Sequence, residues 1–379
     1  MILPRRQFLS LLTGTAAWSL LPSPLHAASR DISAAGLLAE FPTVPGLGWS
    51  VFDTEESLRI ETAGMTLALG PDGVEAGTRF QACSISKPLA AALTLLLWRE
   101  GFVQLDQPVN EMLRRWTLPG GDAVTIRLLL SHGAGVNVAG FPGYAPGAPL
   151  PDLDAILDGR PPANTPPVQV ESPPAGVWSY SGGGYQVIER LLGDVTGLDF
   201  PTLLADRLLG PLGMTDSGCF QPPSEALVQT PSALARGHDL HGVPLPGGWH
   251  VYPEHAAAGV WSSPRDLARF GRAILRGLGG KGLLRDVAEA MTTPVTESWA
   301  LGLKHVADAG RNLCLHLGSN AGFRCLLLLD LSAGKGLAVM TNGDGGELLL
   351  DAAAHALSAR EGWPLPEGFV PTDRGYGGP

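Results

Sequence analysis

Apolar residues at helical spacing run from Asp31 to Phe41, where Pro42 stops them. The runs Leu47 to Phe52 and Leu58 to Thr62 predict two strands joined by the polar turn Asp53-Thr54-Glu55-Glu56. Ser84 to Glu100, rich in Ala and Leu, predicts a helix closed by Gly101. A short helix is expected over Thr125 to Ser131, and longer ones over Asp199 to Leu209 and Pro264 to Leu278, the last with Ser263-Pro264 at its start and Gly277 at its end. Between Phe141 and Pro174 the chain is dense in Pro and Gly, which predicts irregular surface loops. Three apolar runs follow at hairpin spacing, Leu313 to Leu317, Phe323 to Leu329 and Gly336 to Met340, before a last helix over Glu347 to Ala359. Strands at both ends around a helical middle predict an α+β fold: a mainly antiparallel sheet flanked by helices, with a helical, loop-rich insertion lobe. Residues 28–80 and 255–365 are assigned to the sheet lobe, 81–254 to the helical lobe and 366–379 to a tail.

Charge and composition narrow the partners. The 379 residues carry 26 basic and 36 acidic side chains, a net charge of −10. A phosphate backbone demands clustered Lys and Arg, which this chain lacks, so nucleic acid is excluded as a partner. The start, Arg5-Arg6-Gln7-Phe8-Leu9, leads into an apolar run to Leu21 and small residues at Ala27-Ala28. A charged start, a short apolar middle and small residues describe a secretory signal, here of twin-arginine type over residues 1–27. The run is shorter than the ~20 residues a spanning helix needs, so no integral span is expected in the mature chain. The alternative is an amphipathic arm or an uncleaved anchor. An exported, periplasmic location is the expectation. The four cysteines, Cys83, Cys219, Cys314 and Cys325, match no zinc or redox spacing, so no metal and no cofactor is expected. Cys314 and Cys325 could face each other across a hairpin and oxidise, but four free, mostly buried thiols are the favoured state.

The chemistry concentrates in Ser84-Ile85-Ser86-Lys87. Residues three apart on a helix share a face, so Ser84 Oγ and Lys87 Nζ can meet. Pro88 fits only a first helical turn, which sets Ser84 at the helix start, beside the positive end of the dipole. A serine there, beside a cation, loses its proton more easily and can attack an acyl carbon. The plain alternative is an N-cap serine with a solvated lysine. A second copy of the spacing, Ser332-Ala333-Gly334-Lys335, lies between two predicted strands and reads as a turn. Of the four lysines, only Lys87 leads an apolar helix, where it needs a partner or a lowered pKa.

Tyr180 and Tyr185 bracket Ser181-Gly182-Gly183-Gly184. Three glycines let backbone and ligand approach closely, and a phenol beside an ammonium is pulled toward phenolate. A glycine turn flanked by packed aromatics is the competing reading. His316-Leu317-Gly318-Ser319 ends one predicted strand, and an edge strand followed by Gly-Ser can aim a backbone N–H into a cleft. A lone histidine at a strand end is more often a solvated or hydrogen-bonded structural residue.

In this order and at these separations, Ser84-x-x-Lys87, Tyr180-Ser181-Gly182 and His316-Leu317-Gly318 resemble the class C β-lactamase superfamily of penicillin-recognising serine hydrolases. That group also holds D,D-peptidases, D-aminopeptidases and family VIII-type carboxylesterases. Leu128-Leu129-Leu130-Ser131-His132-Gly133-Ala134-Gly135, Pro211-Leu212-Gly213-Met214 and Thr341-Asn342-Gly343-Asp344 strengthen the likeness, which runs from about Phe41 to Pro364. The resemblance implies a β-lactamase/transpeptidase-like fold. It also implies Ser84 as nucleophile, Lys87 and Tyr180 as the proton-handling pair, and the backbone amides of Ser84 and Ser319 as oxyanion donors. His316, Gly318 and Gly182 would line the substrate site. Two departures stand out. Gly182 replaces the Asn of the Tyr-x-Asn found in many members, and His316-Leu317-Gly318 replaces Lys-Thr-Gly. Both remove groups that would hold a penicillin's acid and amide. The expectation is an exported hydrolase of a small ester, amide or peptide. A D-alanyl-D-alanine carboxypeptidase or weak β-lactamase is the nearest alternative, and a non-catalytic penicillin-binding sensor the more distant one.

Overall fold

The structure is a computed structural model that describes residues 32–55, 58–172 and 177–372. The predicted signal segment, 1–27, lies outside the described residues, as does the end of the tail.

Strands β1 (Gly46–Asp53) and β2 (Leu58–Gly64) open the chain, the two-residue β3 (Phe80–Gln81) and β4 (Trp261–Ser262) frame its middle, and β5 (Lys304–Asp308), β6 (Arg311–Asn320), β7 (Phe323–Asp330) and β8 (Lys335–Thr341) close it. Six of them form one sheet in the order β2-β1-β8-β7-β6-β5, antiparallel throughout. The predicted antiparallel sheet and its helical flanks are therefore present. Ser332–Lys335 is the β7–β8 turn, with Gly334 at φ 63°, as its glycine implied.

Strand periodicity sorts the side chains onto two faces. Leu313 and Leu315 of β6 join Trp49, Leu326 and Val339 in a core covered by helices Ala34–Ala39 and Glu347–Arg360. Cys314, the alternate neighbour, belongs to the other, larger core, which includes Phe270 of helix Pro264–Leu278 and much of helix Ser86–Arg99. That last helix is buried on every side over Ser86 to Leu97. Each fully buried leucine contributes about 1.5–3 kcal/mol, which makes it a rigid mount. Pro88 occupies its first turn, as the sequence required.

Two open readings are decided, the first in favour of the free thiols expected. Cys314 pairs with Leu329 and Cys325 with Gly318, so these cysteines do not face each other; all four are free thiols. The register, fixed by the tight Asn320↔Phe323 hairpin end, sets them four positions apart. The glycine run does not form a turn: Gly182–Thr196 is a helix, capped by Ser181, whose Oγ accepts from the Gly184 N–H at 2.9 Å. Its glycines admit neighbouring backbone and ring, since a Cβ on Gly182 would stand 2.8 Å from Phe141 and one on Gly183 2.7 Å from the Asn137 carbonyl. Within the Pro-rich stretch one short helix, Leu153–Asp158, is present.

Candidate active site

Ser84 sits in a 3-10 turn, Cys83–Ile85, at the mouth of helix Ser86–Arg99. Cys83 before it has φ 53°, an uncommon conformation for a non-glycine residue and one that clusters at functional sites. The turn is stitched down from both sides. Ser86 Oγ donates to the Cys83 carbonyl at 2.6 Å and accepts from the Val260 N–H at 3.0 Å, while the Ala82 N–H donates to the Val260 carbonyl. Ser86 is thus occupied in the scaffold. Ser84 is not.

Lys87 Nζ donates to Ser84 Oγ at 3.1 Å and to the Ala257 carbonyl at 2.9 Å. The solvated-lysine alternative is removed, for Lys87 is 2% exposed. Burial brings its ammonium down from the ordinary 10.5 to about 7, against a smaller opposing influence of the Cys83 thiol. The Ala257 carbonyl belongs to a short helix, His255–Ala258. Glu189 of helix Gly182–Thr196 fixes it by accepting from the Ala256 N–H at 2.9 Å and meeting His255 Nδ1 at 3.1 Å. Neither Glu189 nor His255 carries a sequence motif; only their contact reveals them.

Tyr180 lies just ahead of that helix, and its hydroxyl shares a hydrogen bond with Ser84. Its ring centroid is 4.9 Å from Lys87 Nζ. The pull toward phenolate expected from Lys87 does not prevail. Burial pushes the phenol well above its ordinary pKa, and the Ser84 hydrogen bond only partly opposes this. Low dielectric disfavours phenolate and ammonium alike, which leaves a neutral phenol beside a readily deprotonated amine.

Strand β6 supplies the third wall. β5 pairs only with Arg311 to Leu315, so no strand among the described residues pairs the outer edge of 316–320, although β6 is not the edge strand expected. Gly318 lies against the Ser84 turn: a Cβ there would meet the Ala82 carbonyl at 2.6 Å, Cys83 Cβ at 2.9 Å and the Cys325 sulfur. Ser319, the next residue, is exposed, and Asn320 ties the strand end to Gln81 Oε1 at 2.8 Å and to the Ala258 carbonyl at 3.2 Å. His316 is fully buried, its Nδ1 2.6 Å from the Leu317 carbonyl. Burial first, then Lys87, takes it down to about 3, so it is neutral, not the partly charged group expected at a strand end. Gly182 is packed against Phe141 and so serves the helix start. Unforeseen neighbours complete the site. His132 lies 4.3 Å from the Tyr180 ring, Trp299 5.5 Å from His316, and Trp178 stacks on Trp299 at 5.9 Å.

A family described as Beta-lactamase matches residues 34–360. The chain belongs to that family. Among curated relatives, penicillin-binding protein 4 of Amycolatopsis lactamdurans is 27% identical over 360 residues, 86% of this chain and 89% of that protein. The putative penicillin-binding protein PbpX of Bacillus subtilis is 24% identical over 223 residues, and the match spans only about half of it, 52%, and 58% of this chain. Among solved structures, SurE superposes with a TM-score of 0.68 at 25% identity, covering 88% of this chain and 77% of that one. The D-amino acid amidase of Ochrobactrum anthropi SV3 has a TM-score of 0.71 at 21% identity, covering 88% and 98%. The family match places the chain in the serine-hydrolase superfamily, in the fold expected.

Strand alternation turns Leu317 away from His316, onto the core behind the sheet. Among the described residues no helix is long and apolar enough to cross a membrane.

Proposed function

We propose that this protein is an exported serine hydrolase that cleaves a small ester or amide without a free carboxylate through an acyl-Ser84 intermediate. One observation carries the reading: a lysine amine lowered to about 7 stands 3.1 Å from Ser84 Oγ, and a phenol touches the same oxygen. In the proposed cycle, neutral Lys87 takes the Ser84 proton as Oγ attacks the acyl carbon. The backbone N–H groups of Ser84 and Ser319 receive the oxyanion, and one such donor is worth about 2.7–4 kcal/mol. The leaving group departs with a proton returned through the Lys87–Tyr180 pair, and water then attacks the acyl-enzyme with the same pair as base. General acid–base work of this kind contributes about 10²–10⁴ in rate.

Neutral His316, where a lysine would hold a carboxylate, favours substrates without a free acid beside the scissile bond. The likeness to a D-amino acid amidase makes D-amino acid amides a natural first set. The Arg5-Arg6 signal supports export to the periplasm. Names among the relatives favour a second reading, penicillin recognition with D,D-carboxypeptidase or weak β-lactamase activity.

A substrate panel separates the two: aryl esters, D-amino acid amides, a D-Ala-D-Ala peptide and a penicillin. The expected result is kcat/KM for an aryl ester or D-amino acid amide at least about tenfold above either acid, roughly one charge-assisted hydrogen bond. Preference for the D-Ala-D-Ala peptide or penicillin would overturn it. Stable acylation without release would instead support a sensor.

A further inference from the structure

Tyr180 has no regular structure of its own to hold it: residues 178–181 form no helix or strand, and the helix begins only at Gly182. A phenol that handles the Ser84 proton must nonetheless be fixed to a fraction of an ångström. The peptide groups on either side of it show what fixes it. The Ser179 N–H donates to the His132 carbonyl at 2.9 Å, and the Ser181 N–H donates to His132 Nδ1 at 3.1 Å. One residue therefore grips the backbone immediately before and after the tyrosine. Its imidazole also lies against the phenol ring, centroids 4.3 Å apart and planes at 35°, and Trp299 packs edge-to-face against the same imidazole at 4.8 Å.

We propose that His132 is the positioning residue of Tyr180, a neutral imidazole clamping both flanking peptides through its carbonyl and Nδ1. This rests on the reading that Tyr180 serves Ser84.

Three features fit a clamp better than ordinary core packing. His132 has φ 58°, a backbone state rare for non-glycine residues, and that state accompanies a carbonyl and a ring nitrogen both engaged with one short segment. It is 1% exposed, and burial first, then Lys87 and His316, hold its pKa well below 6.5. The ring thus keeps a lone pair on Nδ1 and its single proton on Nε2, the tautomer that accepting from Ser181 requires. A phenylalanine would pack as well but could not accept that N–H.

The test uses the whole protein and an uncharged ester. His132→Gly takes φ 58° freely and keeps the carbonyl but deletes the ring; His132→Asn tolerates the same φ and places Oδ1 where Nδ1 was. The expected result is a fall in kcat of about tenfold or more for H132G with KM within about threefold, and recovery of most of that loss in H132N. In a Tyr180→Phe background, H132G should add less than about a twofold loss, because both changes remove one function. Equal losses in H132G and H132N, or losses that multiply in the double variant, would overturn the proposal, as would failure of both His132 variants to fold. A Tyr180→Phe protein with wild-type turnover is a different pattern: it removes Tyr180 from the chemistry, and the clamp with it.

Discussion

The Lys87 ammonium has lost nearly all of its water, and two oxygens, Ser84 Oγ and the Ala257 carbonyl, stand in for it. Neither is charged, so burial wins and the amine comes down to about 7. The sign of the pH dependence follows. Below that value Nζ is protonated and cannot take the Ser84 proton; above it the free amine can. kcat/KM is expected to rise as one proton is lost, with a midpoint near 7, then stay level, because the raised phenol pKa removes a falling limb at tyrosine's ordinary value of about 10. A flat profile, or a fall through neutrality, would take Lys87 out of the base role. The Ser84–Lys87 pair was legible because i,i+3 spacing and Pro88 are local facts. The neutrality of His316 and Tyr180 was not legible. Desolvation depends on what distant strands and loops bring around a group, and the residue itself carries no sign of it.

Strand β6 shows how one element fixes the position of a group carried by another. Gly318 leaves room for the Ala82–Cys83 backbone to lie against the strand, directly before Ser84. Gly318→Ala would place a Cβ 2.6 Å from the Ala82 carbonyl and 2.9 Å from Cys83 Cβ, and backbone cannot rotate aside. Such overpacking costs about 1–3 kcal/mol, and it should lower Tm and turnover together by displacing the Ser84 turn. Gly140→Ala is the control, since a Cβ there meets nothing within 4 Å. Calorimetry and ester kinetics on both variants check this; a G318A protein as stable and as active as G140A would show that the close approach does not matter. At this scale most long elements were readable from periodicity, from the strands of the hairpins to helix Pro264–Leu278. Helix Gly182–Thr196 was not, because three glycines at its start carry turn propensity, and only packing against Asn137 and Phe141 makes them helical. His132 was hidden for a related reason: its use depends on the Tyr180 segment it touches 49 residues later.

Across the whole molecule the first long strand pairs with the last, β1 with β8, so the sheet closes around a middle that departs at β3 and returns at β4. That middle brings in Ser84, Lys87, Tyr180 and the short helix His255–Ala258, and the sheet brings in 316–319. The order of the motifs allowed this convergence to be expected by resemblance; no local pattern could have given it, because Tyr180 lies 96 positions beyond the Ser84 it touches and strand β6 lies further still. The account stands on Ser84 becoming covalently acylated. Intact-protein mass spectrometry after treatment with a fluorophosphonate tests this most directly, with peptide mapping of the adduct. The wild-type chain should gain a single adduct on Ser84, and Ser84→Ala, with unchanged Tm, should gain none; an adduct that persists in S84A, or maps to another residue in the wild type, would contradict the account.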